Sequence, residues 1–432
     1  MTRARAWWDE LGRSERLALA GAAVTATALV VAYAALRHPN PLAGDQREYH
    51  QMAVLFTEGK PWHGFAPFGN LHASAYRPPV YPAWTGLWYA LLGPSPTRVA
   101  LVQAPLAGLT VVLTFALARR LLGRRAALAV AWVTALNPFV WEWFGLLYTE
   151  ALAIPLVTGT LLLVLDRPPT TRLAVGVGAL LGAGLLLRPT SFFVVAAVLV
   201  AFFLATGWRR AASLGAVAVG AALLVVAPWS IRNYVVTDAF IPLSAQDGAL
   251  LGTFNETSAN DPDFPYAWRP NTPENIAMLA GPVLDDAEYR RRQMQLGLDY
   301  VEEHPSAVAG AFWWNGVVRF WDLRPIEDSL VEVPFEGRAE VVTRAGLSVH
   351  RLLLPLAIAG VVRHRRRRPL VLPVAALALG ASIVFTLAAG TRYRAPLEPL
   401  LGLLAVMAFV APVGASGGAA PDAEAAPAPA PG

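Results

Sequence analysis

Apolar runs of about 20 residues recur along this chain, separated by short polar turns, and they decide what it can fold into. Inside a bilayer a segment must satisfy its own backbone hydrogen bonds, which leaves only helices and closed barrels. The apolar–polar alternation of a barrel strand is absent, so the runs read as helices. Composition agrees: 55% of the 432 residues are hydrophobic and only 15% are charged, against about 25% charged in soluble proteins. There is no cysteine, so neither disulfides nor thiolate ligands take part. The expected class is an all-α polytopic membrane protein.

Charge orients it. Arg3, Arg5, Arg13 and Arg16 precede the first run, 17–36, and place the N-terminus in the cytoplasm by the positive-inside rule. That run has no clear small-residue cleavage site before Arg37-His38-Pro39, and further runs follow, so it reads as a retained helix. The segment 80–92 is short for a span and carries Pro82, Tyr81, Trp84 and Trp88. If it crossed, the basic turns 119–125 and 208–210 would fall outside; lying along the surface, it keeps both inside. Spans are then expected at 98–118, 126–141, 147–165, 172–187, 190–207, 211–229, 346–362, 370–388 and 396–412. With the first, that gives about ten transmembrane helices and both termini in the cytoplasm, in a plasma (inner) membrane. The aromatic run 307–321 is read as a second interfacial helix. A transmembrane domain thus occupies 1–412, with outer loops at 37–97 and 230–345, and the low-complexity tail 413–432 is expected to be disordered. The net charge of +5 concerns topology rather than nucleic acid.

Because charge is scarce, the first outer loop stands out: it gathers Asp45, Arg47, Glu48, His50, Glu58, His63, His72 and Arg77. Asp45 follows the first span closely, which suits a reaction on a substrate carried by a lipid. It either ends a helix in solvent or acts as general base toward an acceptor hydroxyl. Glu150, at the start of a span, is costly there unless paired or facing a polar cavity. It is a functional group or the partner of a buried arginine. Glu142 is expected at the surface. The turn 390–396 holds Arg392 and Arg394 on the outer side, against the charge rule, so a local anion is called for: a bound phosphate or lipid headgroups. Arg188 and Arg232 are further outward arginines beside spans. The string 76–82 shapes the helix that follows it. His50, His63 and His72 lack metal-ligand spacing, and metal dependence stays open. No phosphate-binding glycine loop, dinucleotide pattern or serine elbow is present.

In order along the chain stand Gly44-Asp45, RPPVYP at 77–82, NPF…LYTEAL at 137–152, LLLRPT at 185–190, APWSIRNY at 227–234 and TRYRAPLEPLL at 391–401. With this series the chain resembles the GT-C superfamily of membrane glycosyltransferases, specifically the family 39 group related to protein O-mannosyltransferases and the lipid A aminoarabinose transferase. The resemblance implies a GT-C-like bundle and an inverting transfer of a sugar from a polyprenyl-phosphate donor to an acceptor outside the membrane. Asp45 matches the first-loop acid; where many members have two adjacent acids, Gln46 follows here and Glu48 is the next carboxylate. Arg392 and Arg394, with Arg188 or Arg232, are then expected to hold the donor phosphate, with Asp45 as base and Glu150 as a second acid. Glu48, His50, Arg77, Tyr81 and Tyr393 are expected to contact substrate. Trp62, Trp84, Trp313 and Trp314 line a prenyl groove, pack sugar, or anchor at the interface. No cofactor is required. The acceptor is an envelope glycan, lipid or protein, and the lack of a sizeable C-terminal soluble domain means that it need not be a protein. A transporter or flippase for lipid-linked sugars, or a non-catalytic binding subunit, uses the same outward charges without bond chemistry.

Overall fold

In the computed structural model, residues 8, 10–65, 67, 69–281, 284–383 and 390–411 are described; the expected disordered tail, 413–432, lies outside them. The main helices are α1 (Arg13–Leu36), α2 (Asp45–Thr57), α3 (Val80–Leu92), α4 (Pro96–Leu122), α5 (Arg124–Leu136), α6 (Glu150–Asp166), α7 (Thr171–Leu187), α8 (Phe192–Thr206), α9 (Trp208–Thr237), α10 (Asp286–Glu303), α11 (Glu340–Arg363), α12 (Val371–Ile383) and α13 (Glu398–Met407). Among the described residues each apolar run read as a span overlaps one of α1, α4–α9 and α11–α13, and the chain is a multi-pass membrane protein. The described strands are a two-residue pair, β1 (His63–Gly64) and β2 (His72–Ala73), antiparallel with His63 opposite Ala73.

Among the described residues, five helical segments are by themselves long and apolar enough to cross a membrane: α1, α4, Pro189–Thr206, α9 and α11. Of the others, α5, α6 and α13 are shorter than the runs that predicted them, whereas α7 covers its run. Proline is the reason at several ends. It lacks an N–H and pushes the preceding residue out of the helical region. Thus α5 stops at Leu136, Asn137 caps a new turn at Pro138–Trp141, and a 3₁₀ turn follows over Glu142–Gly145. Likewise α7 ends before Pro189, and α13 is preceded by the turn Thr391–Arg394 and the 3₁₀ turn Ala395–Leu397. Broken backbone of this kind is tolerated at membrane depth only where protein or polar side chains receive the freed groups. Here that is where Glu142, Glu150, Arg188 and Arg392 collect.

Helices close on one another through small residues, as expected where lipid supplies no hydrophobic drive. On α7, a Cβ at Gly178 or Gly182 would lie 2.2 Å from Ala218 O or 2.7 Å from Ala222 O of α9. α3 is a 13-residue helix, as read from the sequence, with Tyr81, Thr85, Gly86 and Tyr89 buried. The aromatic run 307–321 is α-helical over Ser306–Ala311 and then π-helical over Phe312–Arg319.

The loops 37–97 and 230–345 pack against each other. Asp286, at the start of α10, accepts hydrogen bonds from Ser74 Oγ (3.0 Å), Ala75 N (2.6 Å) and His72 Nε2 (3.1 Å). Ala245 N donates to Ala75 O at 2.9 Å, and Ser244 Oγ to Tyr76 O at 2.6 Å. These contacts deliver Arg77 to the start of α2.

Candidate active site

α2 opens on Asp45, so the acid expected in a loop is the first residue of a helix, with Glu48 also in its first turn. Carboxylates are favoured there by the helix dipole, and three residues apart they share a face. That face meets Arg77, whose side chain is 6% exposed. Its Nη2 donates to Asp45 Oδ1 at 2.7 Å, its Nε to Glu48 Oε2 at 2.6 Å, and its Nη1 to Gln246 Oε1 at 3.0 Å. Tyr49 and Tyr76 flank the guanidinium, their ring centres 5.3 and 5.5 Å away.

The other oxygen of Asp45, Oδ2, is taken by Arg392 Nη1 at 2.6 Å. Arg392 Nε reaches on to Glu150 Oε1 at 2.7 Å, and that same oxygen accepts from Arg188 Nη1. Glu150 is fully buried, and Thr149 Oγ1 donates to its Oε2 at 3.1 Å. Arg392 lies 4.3 Å above the ring of Tyr148, and Arg188 4.6 Å above that of Tyr393. Six side chains thus alternate in sign: Glu48, Arg77, Asp45, Arg392, Glu150, Arg188. Their formal charges cancel. Burial pushes the Asp45 carboxyl up, but the guanidiniums of Arg77 and Arg392 outweigh it and hold the group well below the usual carboxylate range.

The sequence gathers Asp45, Glu48 and Arg77 in the first loop and sets Glu150, Arg188 and Arg392 on the same side; the structure joins all six and makes Arg77 a partner of both first-loop acids. Tyr393 also joins. The remaining candidates lie elsewhere. Arg394, paired with Arg392 in the sequence reading, is fully buried. It binds Asp322 Oδ2 (2.8 Å), Glu398 Oε1 (2.6 Å) and the carbonyl of Phe320. The cause is helical geometry: over Thr391–Arg394, residues two apart point about 200° from each other. Arg394 therefore faces Asp322 and Glu398 rather than the charged row. Arg232 is also diverted, donating to the carbonyls of Ser74 (2.7 Å) and Trp62 (3.3 Å) over the Trp229 ring, where it braces the first loop. His50 Nδ1 meets Tyr89 OH at 2.7 Å. Tyr81 OH donates to Gln103 Oε1 at 3.0 Å, and its ring supports Tyr49, 4.8 Å between centres.

Glu142 overturns its expectation. It is fully buried, in the 3₁₀ turn between α5 and α6, and accepts from Arg338 Nη1 at 3.0 Å. Arg338, Glu336 and Tyr148 were not singled out from the sequence. Only the pair Arg394–Glu398 had a local signal, its four-residue spacing on a helix. Trp62 packs edge-on against Trp229 (5.9 Å), Trp84 packs against Trp88 (5.5 Å), and Trp313 is exposed. Among the described residues no group of three or more His, Asp or Glu side chains is placed to hold a metal ion.

Residues 76–231 match the family model described as dolichyl-phosphate-mannose-protein mannosyltransferase. No curated protein matches the sequence. Among solved structures, the apo oligosaccharyltransferase of Archaeoglobus fulgidus is similar at 14% identity and a TM-score of 0.50, over 90% of this chain and 50% of that one. The same organism's oligosaccharyltransferase AglB, in complex with an inhibitory peptide and a dolichol-phosphate, gives 13% and 0.47 over 90% and 50%. ArnT from Cupriavidus metallidurans, bound to undecaprenyl phosphate, gives 16% and 0.42 over 90% and 77%. The chain spans about half the length of the oligosaccharyltransferases it matches. Its fold is that of the GT-C membrane glycosyltransferases.

Proposed function

We propose that this protein transfers a sugar from a polyprenyl-phosphate donor to an acceptor on the extracytoplasmic side of the membrane, with inversion. The observation that carries the reading is Arg392, a guanidinium shared between Asp45 and Glu150 beside Arg188. Guanidiniums bind phosphate in the same two-point manner as carboxylate. A donor phosphate is therefore the natural competitor for Asp45 and Glu150. The family matched over 76–231 is named for a donor of this class, dolichyl-phosphate-mannose.

In the proposed reaction the acceptor heteroatom attacks the anomeric carbon, and the bond from that carbon to the phosphate oxygen breaks on the opposite face. Arg392 and Arg188 neutralise the phosphate as its charge grows; groups held in place for that moment supply a large share of catalysis. Once Arg392 has turned to the phosphate, Asp45 Oδ2 is free to take the acceptor proton. The basic turns 119–125 and 363–368 support an outward site with both termini in the cytoplasm.

The test is release of free polyprenyl phosphate by purified protein from a panel of polyprenyl-phosphate sugars, wild type against Arg392→Ala. Release that requires Arg392 is expected. Movement of intact donor across vesicles without cleavage would make the protein a transporter, and binding alone would make it a subunit of something larger.

A further inference from the structure

The charged row is held from behind by one turn of the second outer loop, 335–338. Gly44 has φ +50°, and a Cβ there would lie 2.5 Å from Phe335 O, so the residue before Asp45 is seated directly on this turn. The carbonyl of Glu336 accepts from Gln46 Nε2 at 2.8 Å and from Tyr148 OH at 3.0 Å. Gln46 is the residue after Asp45, and Tyr148 is the ring beneath Arg392. Gly337, at φ +63°, leaves no room for a side chain: its Cβ would lie 2.7 Å from Gln46 Nε2. Arg338 then turns inward, fully buried between Phe139 and Trp143. It donates from Nη1 to Glu142 Oε1 (3.0 Å) and Thr391 Oγ1 (2.8 Å), and its Nε lies 2.9 Å from Glu336 Oε2. Thr391 is the residue before Arg392.

One turn therefore grips a chain neighbour of Asp45 on each side, a neighbour of Arg392, and the ring that carries the Arg392 guanidinium. We infer that Arg338 is a positioning residue, which fixes the Thr391–Arg394 turn so that Arg392 meets Asp45 and, in the reaction, the donor phosphate. Its own guanidinium contacts Glu142, Thr391 and Glu336, none of them a member of the charged row. The inference rests on the proposed transfer for its kinetic consequence and on the structure alone for its conformational one.

Two variants test it. Arg338→Lys keeps the charge toward Glu142 but has no planar fork to span Glu142, Glu336 and Thr391 together. Thr391→Val removes only the far end of the contact and changes no charge. Both are purified in detergent beside wild type. Amide hydrogen exchange is read over 390–397, binding of undecaprenyl phosphate is measured, and single-turnover release is followed from whichever donor serves the wild type. Exchange in the turn is expected to rise about tenfold or more in each variant, as expected of a local opening. Single-turnover rate should fall about 10- to 100-fold, the scale of a reacting group misplaced by about an ångström. Binding should change less than about threefold, and the double variant should be no slower than Arg338→Lys, because the two changes break one contact. Unchanged exchange and rate in Thr391→Val overturn the inference even if Arg338→Lys does not fold. A loss confined to binding overturns it too. If wild type transfers nothing, the proposed function fails, while exchange over 390–397 still decides the positioning role.

Discussion

Replacing Asp45 by asparagine should tighten donor binding while slowing transfer, a pair of opposite effects that few other roles for this residue would produce. Asp45 Oδ2 lies 2.6 Å from Arg392 Nη1. A phosphate on the free edge of that guanidinium would sit about 5 Å from the carboxylate, and two unit charges at that distance repel by about 3 kcal/mol at an effective dielectric of about 20. The Asp45 side chain is one quarter exposed, so water and salt reduce this. A gain of about 1–3 kcal/mol, roughly 5- to 150-fold in affinity for undecaprenyl phosphate, is expected. The variant should stay folded, since Arg77 keeps Glu48 and Arg392 keeps Glu150. Transfer should fall about 10²–10⁴-fold, the cost of a lost general base. Acid will not mimic the substitution. Because the carboxyl is held below its ordinary range, its contribution is intact above the unfolded value near 3.9 and is lost only as pH falls through the lowered one. Binding and single-turnover rate, measured on the same detergent-purified variant, decide the matter. Weaker phosphate binding in Asp45→Asn would refute the competition between carboxylate and phosphate, and an unchanged rate would remove Asp45 from the chemistry.

Other expectations follow from single contacts. Arg394→Met leaves Asp322 and Glu398 buried without their shared cation, so thermal unfolding should show a loss of about 3–5 kcal/mol, with phosphate affinity of the folded fraction unchanged. Gly44→Ala places a Cβ 2.5 Å from Phe335 O at a positive φ, and should cost about 1–3 kcal/mol of stability and slow transfer by displacing Asp45. Burial pushes the Glu336 carboxyl up to about 7, against the pull of Arg338. A raised carboxyl favours the folded state fully below its unfolded value near 4.5, and that contribution is lost as pH rises through about 7. Thermal unfolding between pH 5 and 9 should show the decline, flattened in Glu336→Gln.

The helices were legible because apolar length and basic turns are local signals. Every expected run carries a helix among the described residues, and α3 matched its predicted limits. Some ends were less legible, because Pro138 and Pro396 interrupt a helix without ending an apolar run. At the site, scarcity of charge singled out Asp45, Glu150, Arg188 and Arg392, which the structure brings into one row. It could not assign partners. Arg77 joins Asp45 across 32 positions, and Arg392 joins Glu150 across 242. Arg394 misled because two arginines flanking a tyrosine look equivalent until the turn is known to be helical. Glu142 misled because its partner, Arg338, comes 196 residues later.

The alternating row explains how six charged side chains can be kept together in so apolar a chain. A lone carboxylate or guanidinium next to the hydrocarbon layer is costly, whereas a row with zero net charge satisfies each member through its neighbours. Such a row is also exchangeable. A phosphate can replace a carboxylate on Arg392 without leaving the guanidinium bare, because both present oxygens to the same planar donors. The displaced carboxylate, relieved of one cation, then becomes a stronger base at the moment an acceptor must lose its proton. In the proposed reaction, donor binding and activation of Asp45 are therefore one event, and the arginine that receives the leaving phosphate is the one that releases the base. The interruptions between α5 and α6, after α7 and before α13 lie beside Glu150, Arg188 and Arg392. Continuous helices would carry Glu150, Arg188 and Arg392 on separate faces along their axes, and the broken ends let the three side chains meet in one line with α2.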